Sequence, residues 1–473
     1  MKYITSIFFI LFWANSFAQN NFYSSYDYIN RNDFGLELIQ DSKGKLMVAG
    51  MTTRGGASMK FLLLDSNGIL TNQKHYNPSI DSDLYSLESL NDTIIVSTGS
   101  SYDPIEGAAD CHLLFLKTNG DSLKTTYLDL QFNDRIHDLY VESDSVLIAL
   151  GIYSDSSITD FKPFITRLDT SGYVLWFKTH NKSGYDETIK NLQPVPGGGY
   201  VFSGTEEETP NGHTDLFLTK VDSIGNLVWK QYYHEAFSQR GGHVEVLRDG
   251  NYAMFGTGYT PHNADRAILK IDQAGNLIWR KKHGTNLDEG YIVGKELPNG
   301  NFICAGTSIR TYNSMQIDDV NLSMLDSSGN LLWSRDYNYH GLGTNEYVKD
   351  LIITSDGGFA MTGFILNAPG NTGNDVFVLK TDTNGLITSL NSGFREVTPD
   401  MRVYPNPTKD VVNVPYIEGL ERIDVYDLGG KLLSTSTPLR MTTTVEIPVK
   451  NGIYILKLVT KNGEVFSKKV IKD

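Results

Sequence analysis

The sequence predicts an all-β protein, a seven-bladed β-propeller with a C-terminal Ig-like β-sandwich, from three observations. A four-residue phrase recurs seven times, starting at Asp65, Lys117, Asp169, Asp222, Asp272, Asp326 and Asp382 and ending each time in Gly. The steps are 52, 52, 53, 50, 54 and 56 residues. A second marker keeps the same beat: Gly50, Gly99, Gly151, Gly204, Gly256, Gly306 and Gly363. Between the markers lie short runs rich in Val, Leu, Phe and Tyr, and no stretch holds a 3.6-residue apolar period long enough for a helix. Four strand-length pieces in about fifty residues make one propeller blade. A β-solenoid is the other architecture such a repeat could build, but its coils are usually shorter and need no hairpin turns.

Residues 1–18 are expected to be a cleaved signal peptide. Lys2 supplies the positive start, Ile4 to Trp13 is mostly apolar, and Ser16 and Ala18 are small where a signal peptidase reads. The apolar run is shorter than the ~20 residues of a membrane span, and no other segment is apolar enough to be one. The repeats occupy 19–390, and the fourth shows the blade best. Its expected strands are Thr188 to Gln193, Tyr200 to Ser203, Leu216 to Val221, and Asn226 onward through Trp229. Gly197, Gly198 and Gly199 turn the first hairpin, and Asp222 to Gly225 turns the last. Asp at such a turn accepts bonds from backbone N–H groups, and Gly takes the positive φ. The seventh repeat lacks a fourth strand of its own. Phe22 to Tyr26 resembles Trp333 to Tyr337, so the N-terminal segment is expected to complete the outer edge of the last blade and close the ring.

The pattern Gly198-Gly199-Tyr200, then Asp215 to Asp222, then Gly225 to Trp229 resembles a bacterial propeller repeat of exported multidomain proteins. Trp176, Trp229, Trp279 and Trp333 each lie seven residues after the repeat Asp, similar to the quinoprotein propellers, where that resemblance implies a Trp packed between blades. No cofactor-binding set accompanies it.

After a linker at 391–399, residues 400–473 read as about six short strands, a small β-sandwich. Tyr404-Pro405-Asn406-Pro407 comes first, then a hairpin from Val425 to Lys431, Gly452-Ile453-Tyr454, and a basic end at Lys468 and Lys469. These four motifs in order resemble the type A C-terminal sorting domain of type IX secretion substrates. The resemblance implies passage through the periplasm, engagement of the type IX secretion machinery, and delivery to the outer-membrane surface or the medium. An ordinary Ig-like adhesion module is the alternative for the same strands.

A net charge of −14 argues against general affinity for nucleic acid or an anionic membrane. Cys111 and Cys304 sit in apolar runs of different repeats and read as buried thiols. Metalloprotease, serine-hydrolase, P-loop and dithiol motifs are absent. One arrangement stands out. An acid precedes the first strand of most repeats: Asp33, Asp83, Asp134, Glu187, Glu289 and Glu346, with Gln239 in the fifth. First strands line a propeller's channel, so these acids are expected either to ring the channel mouth and hold a polar ligand or to cap their own turns. Calcium, an oxygen-seeking ion, is the cation such a ring would take. His75, His180, His234 and His283 fall near the same face. The expected function is a non-catalytic binding or adhesion module for glycan or protein. The alternative is a secreted glycan-active hydrolase or lyase using acids on the propeller face.

Overall fold

The computed structural model describes residues 21–26, 32–387 and 403–472, apart from short connecting stretches (54–56, 77–80, 104–107, 129, 131–133, 155–161, 181–185, 209–212, 313–314, 339–343, 367–372, 404–405, 416–419, 428–430, 439–441, 449 and 461–464). The leader at 1–18 and the linker at 391–399 lie outside the described residues. The chain divides into two compact units, 1–394 and 395–473, and every regular element among the described residues is a strand.

Among the described residues, the first unit contains seven four-stranded antiparallel sheets. Sheet 1 runs outward through Asn32–Gln40, Leu46–Thr53, Ala57–Leu64 and Leu70–Tyr76. Sheets 2 to 6 repeat this meander, with innermost strands Asp81–Ser89, Asp134–Ser143, Asp186–Pro194, Gln239–Val246 and Glu289–Glu296. Sheet 7 takes three strands from the end of the unit, Asn345–Ile353, Phe359–Leu366 and Asp375–Thr381, and its fourth from Phe22–Tyr26. The N-terminal strand pairs antiparallel with Asp375–Thr381, Phe22 opposite Lys380 and Tyr26 opposite Val376. This is the closure anticipated from the Phe22–Tyr26 resemblance.

Core residues sit between neighbouring sheets. Ile148 and Ile165 of sheet 3 share a cluster with Phe202 and Phe217 of sheet 4, and Leu38 and Val48 of sheet 1 share one with Phe22 and Val376 of sheet 7. Fully burying such a side chain stabilises the fold by roughly 1.5–3 kcal/mol.

The recurrent turns follow their chemistry. The Asp65 carboxylate accepts from the N–H groups of Asn67 and Ile69 at 2.8 and 2.9 Å, and Gly68 has φ of 79°. At Asp169, Asp272 and Asp326 the side chains of Ser171, Asn276 and Asn330 add a bond. That bond, with the backbone amides, holds these exposed carboxyls below their usual range.

The same turns lock the seams. A Cβ on Gly225 would lie 2.7 Å from the Trp176 ring of the preceding sheet, so the absence of a side chain there admits the indole. Trp229, Trp279 and Trp333 stand in the same way over Gly275, Gly329 and Gly385, and Phe22 takes that place over Gly68. Four residues beyond each aromatic, a polar ring reaches the same glycine's carbonyl. Tyr26 donates to Gly68, Tyr233 to Gly275 and Tyr337 to Gly385, at 2.6, 3.1 and 2.5 Å. His180 and His283 fill the position at 2.8 and 2.7 Å from Gly225 and Gly329. Two of the four noted histidines are therefore seam residues.

Among the described residues, the second unit has six strands in two sheets. Val411–Pro415 pairs with Thr442–Glu446, and Leu432–Ser436, Leu420–Asp427, Gly452–Thr460 and Val465–Lys472 form the other sheet in that order. Val412, Val414, Ile423, Val425, Leu456, Leu458 and Val470 share its core. Cys111 and Cys304 are buried and free, as their apolar runs suggested.

Candidate functional site

Every innermost strand of the first unit carries a register shift opposite the recurrent glycine of the second strand. The shifts fall between Gly35 and Glu37, Leu84 and Ser86, Ile136 and Asp138, Ile189 and Leu192, Gly241 and His243, Tyr291 and Val293, and Val348 and Asp350. A bulge sets an extra residue against one partner and re-aims its side chain. Adjacent residues can then face the same way, which strict alternation forbids.

The result is a central cavity of about 410 Å³ to which all seven inner strands contribute. Bulge residues Leu36, Tyr85, His137, Lys190 and Lys349 line it at an upper level, and Glu37, Asp138, Asn191 and Asp350, which follow four of them, line it at the next together with His243, which follows Gly242. Glu88, Tyr140, Gln193 and Lys295 follow two positions further along.

The carboxylates of the middle level tie the sheets together. A bulge leaves N–H groups without a ladder partner. Glu37 accepts from Leu87 N–H at 2.7 Å, Asp138 from Leu192 N–H at 2.6 Å, and Asp350 from Leu38 N–H at 3.0 Å. Asn191 does the same for Val244 at 2.7 Å. The second oxygens of Asp138 and Asp350 accept from Leu139 and Leu351 at 2.8 and 2.7 Å.

Crowding shapes the charges. Desolvation, then the charges of Asp138 and Asp350, pushes the Glu37 carboxyl well up. Desolvation and Asp138 lift Glu88 to about 8, against the pull of Lys295. Desolvation lifts Asp138 to about 6 against its backbone bonds. Lys190 is lowered by desolvation and then by the charge of Lys349. Desolvation, then Arg135 and Lys190, lowers His137 to about 4.

The six acids marked in the sequence lie elsewhere. None lines the cavity, and five are buried. Asp33 pairs with Lys60 at 2.6 Å, both under 2% exposed. Glu187 pairs with Lys230 at 2.5 Å and Glu289 with Arg266 at 3.4 Å. Asp134 accepts from Cys111 and Leu130 N–H groups at 2.7 and 3.0 Å. Glu346 accepts from Thr344 and Asn338 at 2.9 and 3.2 Å, and half-buried Asp83 from Tyr85 at 2.9 Å. Gln239 donates to Asp215 at 3.1 Å. His234 also bonds Asp215, at 2.5 Å, and His75 meets Gln73. Each acid is held locally, and no three His, Cys, Asp or Glu side chains among the described residues lie together as metal ligands.

The cavity residues differ in type from repeat to repeat, so no recurring motif marks them. Their signal is positional: Glu37, Asp138 and Asp350 each stand four residues after a marked acid, and Lys190 and Lys349 three.

Residues 402–473 match the family described as secretion system C-terminal sorting domain. The tail is a type IX sorting domain. The sorting domain marks the chain for export to the cell surface or the medium. No helix among the described residues is long and apolar enough to cross a membrane. No curated protein matches the chain. Similar solved structures include a protein of unknown function from Dyadobacter fermentans DSM 18053, at 10% identity and TM-score 0.47, over 76% of this chain and 98% of that one. Another is a family PL25 polysaccharide lyase, an ulvan lyase, at 8% identity and TM-score 0.49, over 78% and 98%. A third is the β-propeller domain of the trilobed protease from Pyrococcus furiosus, at 9% identity and TM-score 0.43, over 77% and 98%.

Proposed function

We propose that the protein is an exported seven-bladed β-propeller that binds a glycan or protein ligand without turning it over, carried out of the cell by an Ig-like sorting domain. The supporting observation is how the channel acids are held. Glu37, Asp138 and Asp350 accept backbone N–H groups of a neighbouring sheet, and both oxygens of Asp138 and Asp350 are engaged. Such carboxylates are fixed acceptors, suited to orienting a polar ligand. In this reading Asp33, Asp83, Asp134, Glu187, Glu289 and Glu346 hold the strands around them in place and the ligand contacts the cavity wall.

One observation favours a second reading. Glu88, lifted to about 8 beside the cavity, is protonated at neutral pH and could serve as the general acid of a glycan-active hydrolase or lyase. A glycan array and a broad glycosidase and lyase screen on the full chain separate the two. The binding reading expects retention without product; turnover lost in Glu88→Gln would replace it.

A further inference from the structure

The upper level of the cavity gathers cationic and donor groups without a counter-ion. Lys190 comes from sheet 4 and Lys349 from sheet 7, and both exposed side chains line the cavity. No carboxylate among the described residues lies within ion-pair distance of either. The Lys349 ammonium instead stands 5.5 Å from the centre of the Phe364 ring. His137 at this level and His243 at the next add two imidazoles. His137 Nε2 and His243 Nδ1 are buried with no hydrogen-bond partner among the described residues, and both rings line the cavity. The His137 ring stacks on Tyr85 at 5.0 Å. Buried polar nitrogens without partners are uncommon in native proteins and call for a ligand or water.

Resting on the binding reading above, we propose that this level receives the carboxylate of an acidic sugar, with the sugar hydroxyls directed to Glu37, Asp138 and Asp350 one position along the strands. A carboxylate beside Lys190 and Lys349 gives both ammonium groups a counter-charge and the imidazoles an acceptor. The level below suits hydroxyl groups, which both donate and accept, because its carboxyl groups accept at sites the backbone bonds leave open and a carboxyl pushed up, such as that of Glu37, can also donate. The cavity of about 410 Å³ falls within the range of small-molecule pockets, roughly 300–1,000 Å³. A uronic acid sorts its groups as the wall does, one anionic group and several hydroxyls. A peptide alternates donors and acceptors evenly along its backbone and matches the two levels less well.

The test is equilibrium binding to the full chain of digalacturonate, a neutral disaccharide, oligoglutamate and inorganic sulfate, for wild type and Lys190→Gln/Lys349→Gln. The double variant removes two repelling cations, and its melting curve certifies folding. Digalacturonate is expected to bind wild type at least tenfold more tightly than the other three probes and to lose at least tenfold in the variant. Equal binding of sulfate would overturn the sugar, and equal binding of oligoglutamate the glycan class. Undiminished digalacturonate binding by the variant, or none by wild type, would overturn the site. The binding reading would survive if the array showed another ligand, and it alone would fall if the screen found Glu88-dependent turnover.

Discussion

Asp33 shows how far a residue's neighbours decide its meaning. Its carboxylate and the Lys60 ammonium are 2.6 Å apart and almost wholly buried. Removing one partner of such a pair strands the other charge, at a cost of about 3–5 kcal/mol. Asp33→Asn is therefore expected to lower stability by that amount in chemical denaturation, whereas a simple turn cap would tolerate the amide. Glu88 carries the opposite sign. Its folded pKa, about 8, lies above the ordinary value near 4.5, so the folded state holds the proton more tightly than the unfolded chain. Stability contributed this way is complete below the ordinary value and is lost as pH rises to about 8. Glu88→Gln should match wild type in melting temperature near pH 4 and exceed it above pH 8. A gap independent of pH would show that Glu88 is not desolvated.

At the scale of the strand, the closing element is Phe22–Tyr26. Phe22 fills the place over Gly68 that Trp333 fills over Gly385, and Tyr26 repeats the hydrogen bond of Tyr337. Phe22→Ala removes a buried ring and should cost about 3–5 kcal/mol, and Tyr26→Phe about 0.5–1.5 kcal/mol. Thermal melting of both variants checks this, and unchanged curves would place the closure elsewhere. This strand was legible because its aromatic spacing copies a repeat that could be read in full. The turns were legible for a similar reason: Asp and Gly act there through local geometry. The cavity wall was not. The bulge that aims Lys190 and Asn191 into one space arises where the pairing passes from Ile189–Gly204 to Leu192–Phe202, a relation between strands that no local pattern displays. The marked acids recur at one position, inside the innermost strands rather than before them, but their partners, such as Lys60 and Lys230, come from other strands of the same sheets.

For the whole molecule, the two units divide the work. Apolar residues at 412, 414, 423, 425, 456, 458 and 470 give the sorting domain a core of its own, and the repeats keep theirs between successive sheets. A chain ending at residue 398 is therefore expected to fold and remain in the periplasm, which cell fractionation would show; normal arrival at the surface would contradict the role given to the tail. The central claim is that ligand enters the channel formed by the seven inner strands. Leu36 lines that channel and carries no charge, so Leu36→Trp narrows it without altering its electrostatics. The most direct measurement is glycan-array binding by wild type and Leu36→Trp proteins of matched melting temperature. Loss of the wild-type signal in the variant is the predicted result, and an undiminished signal would contradict a ligand in the channel.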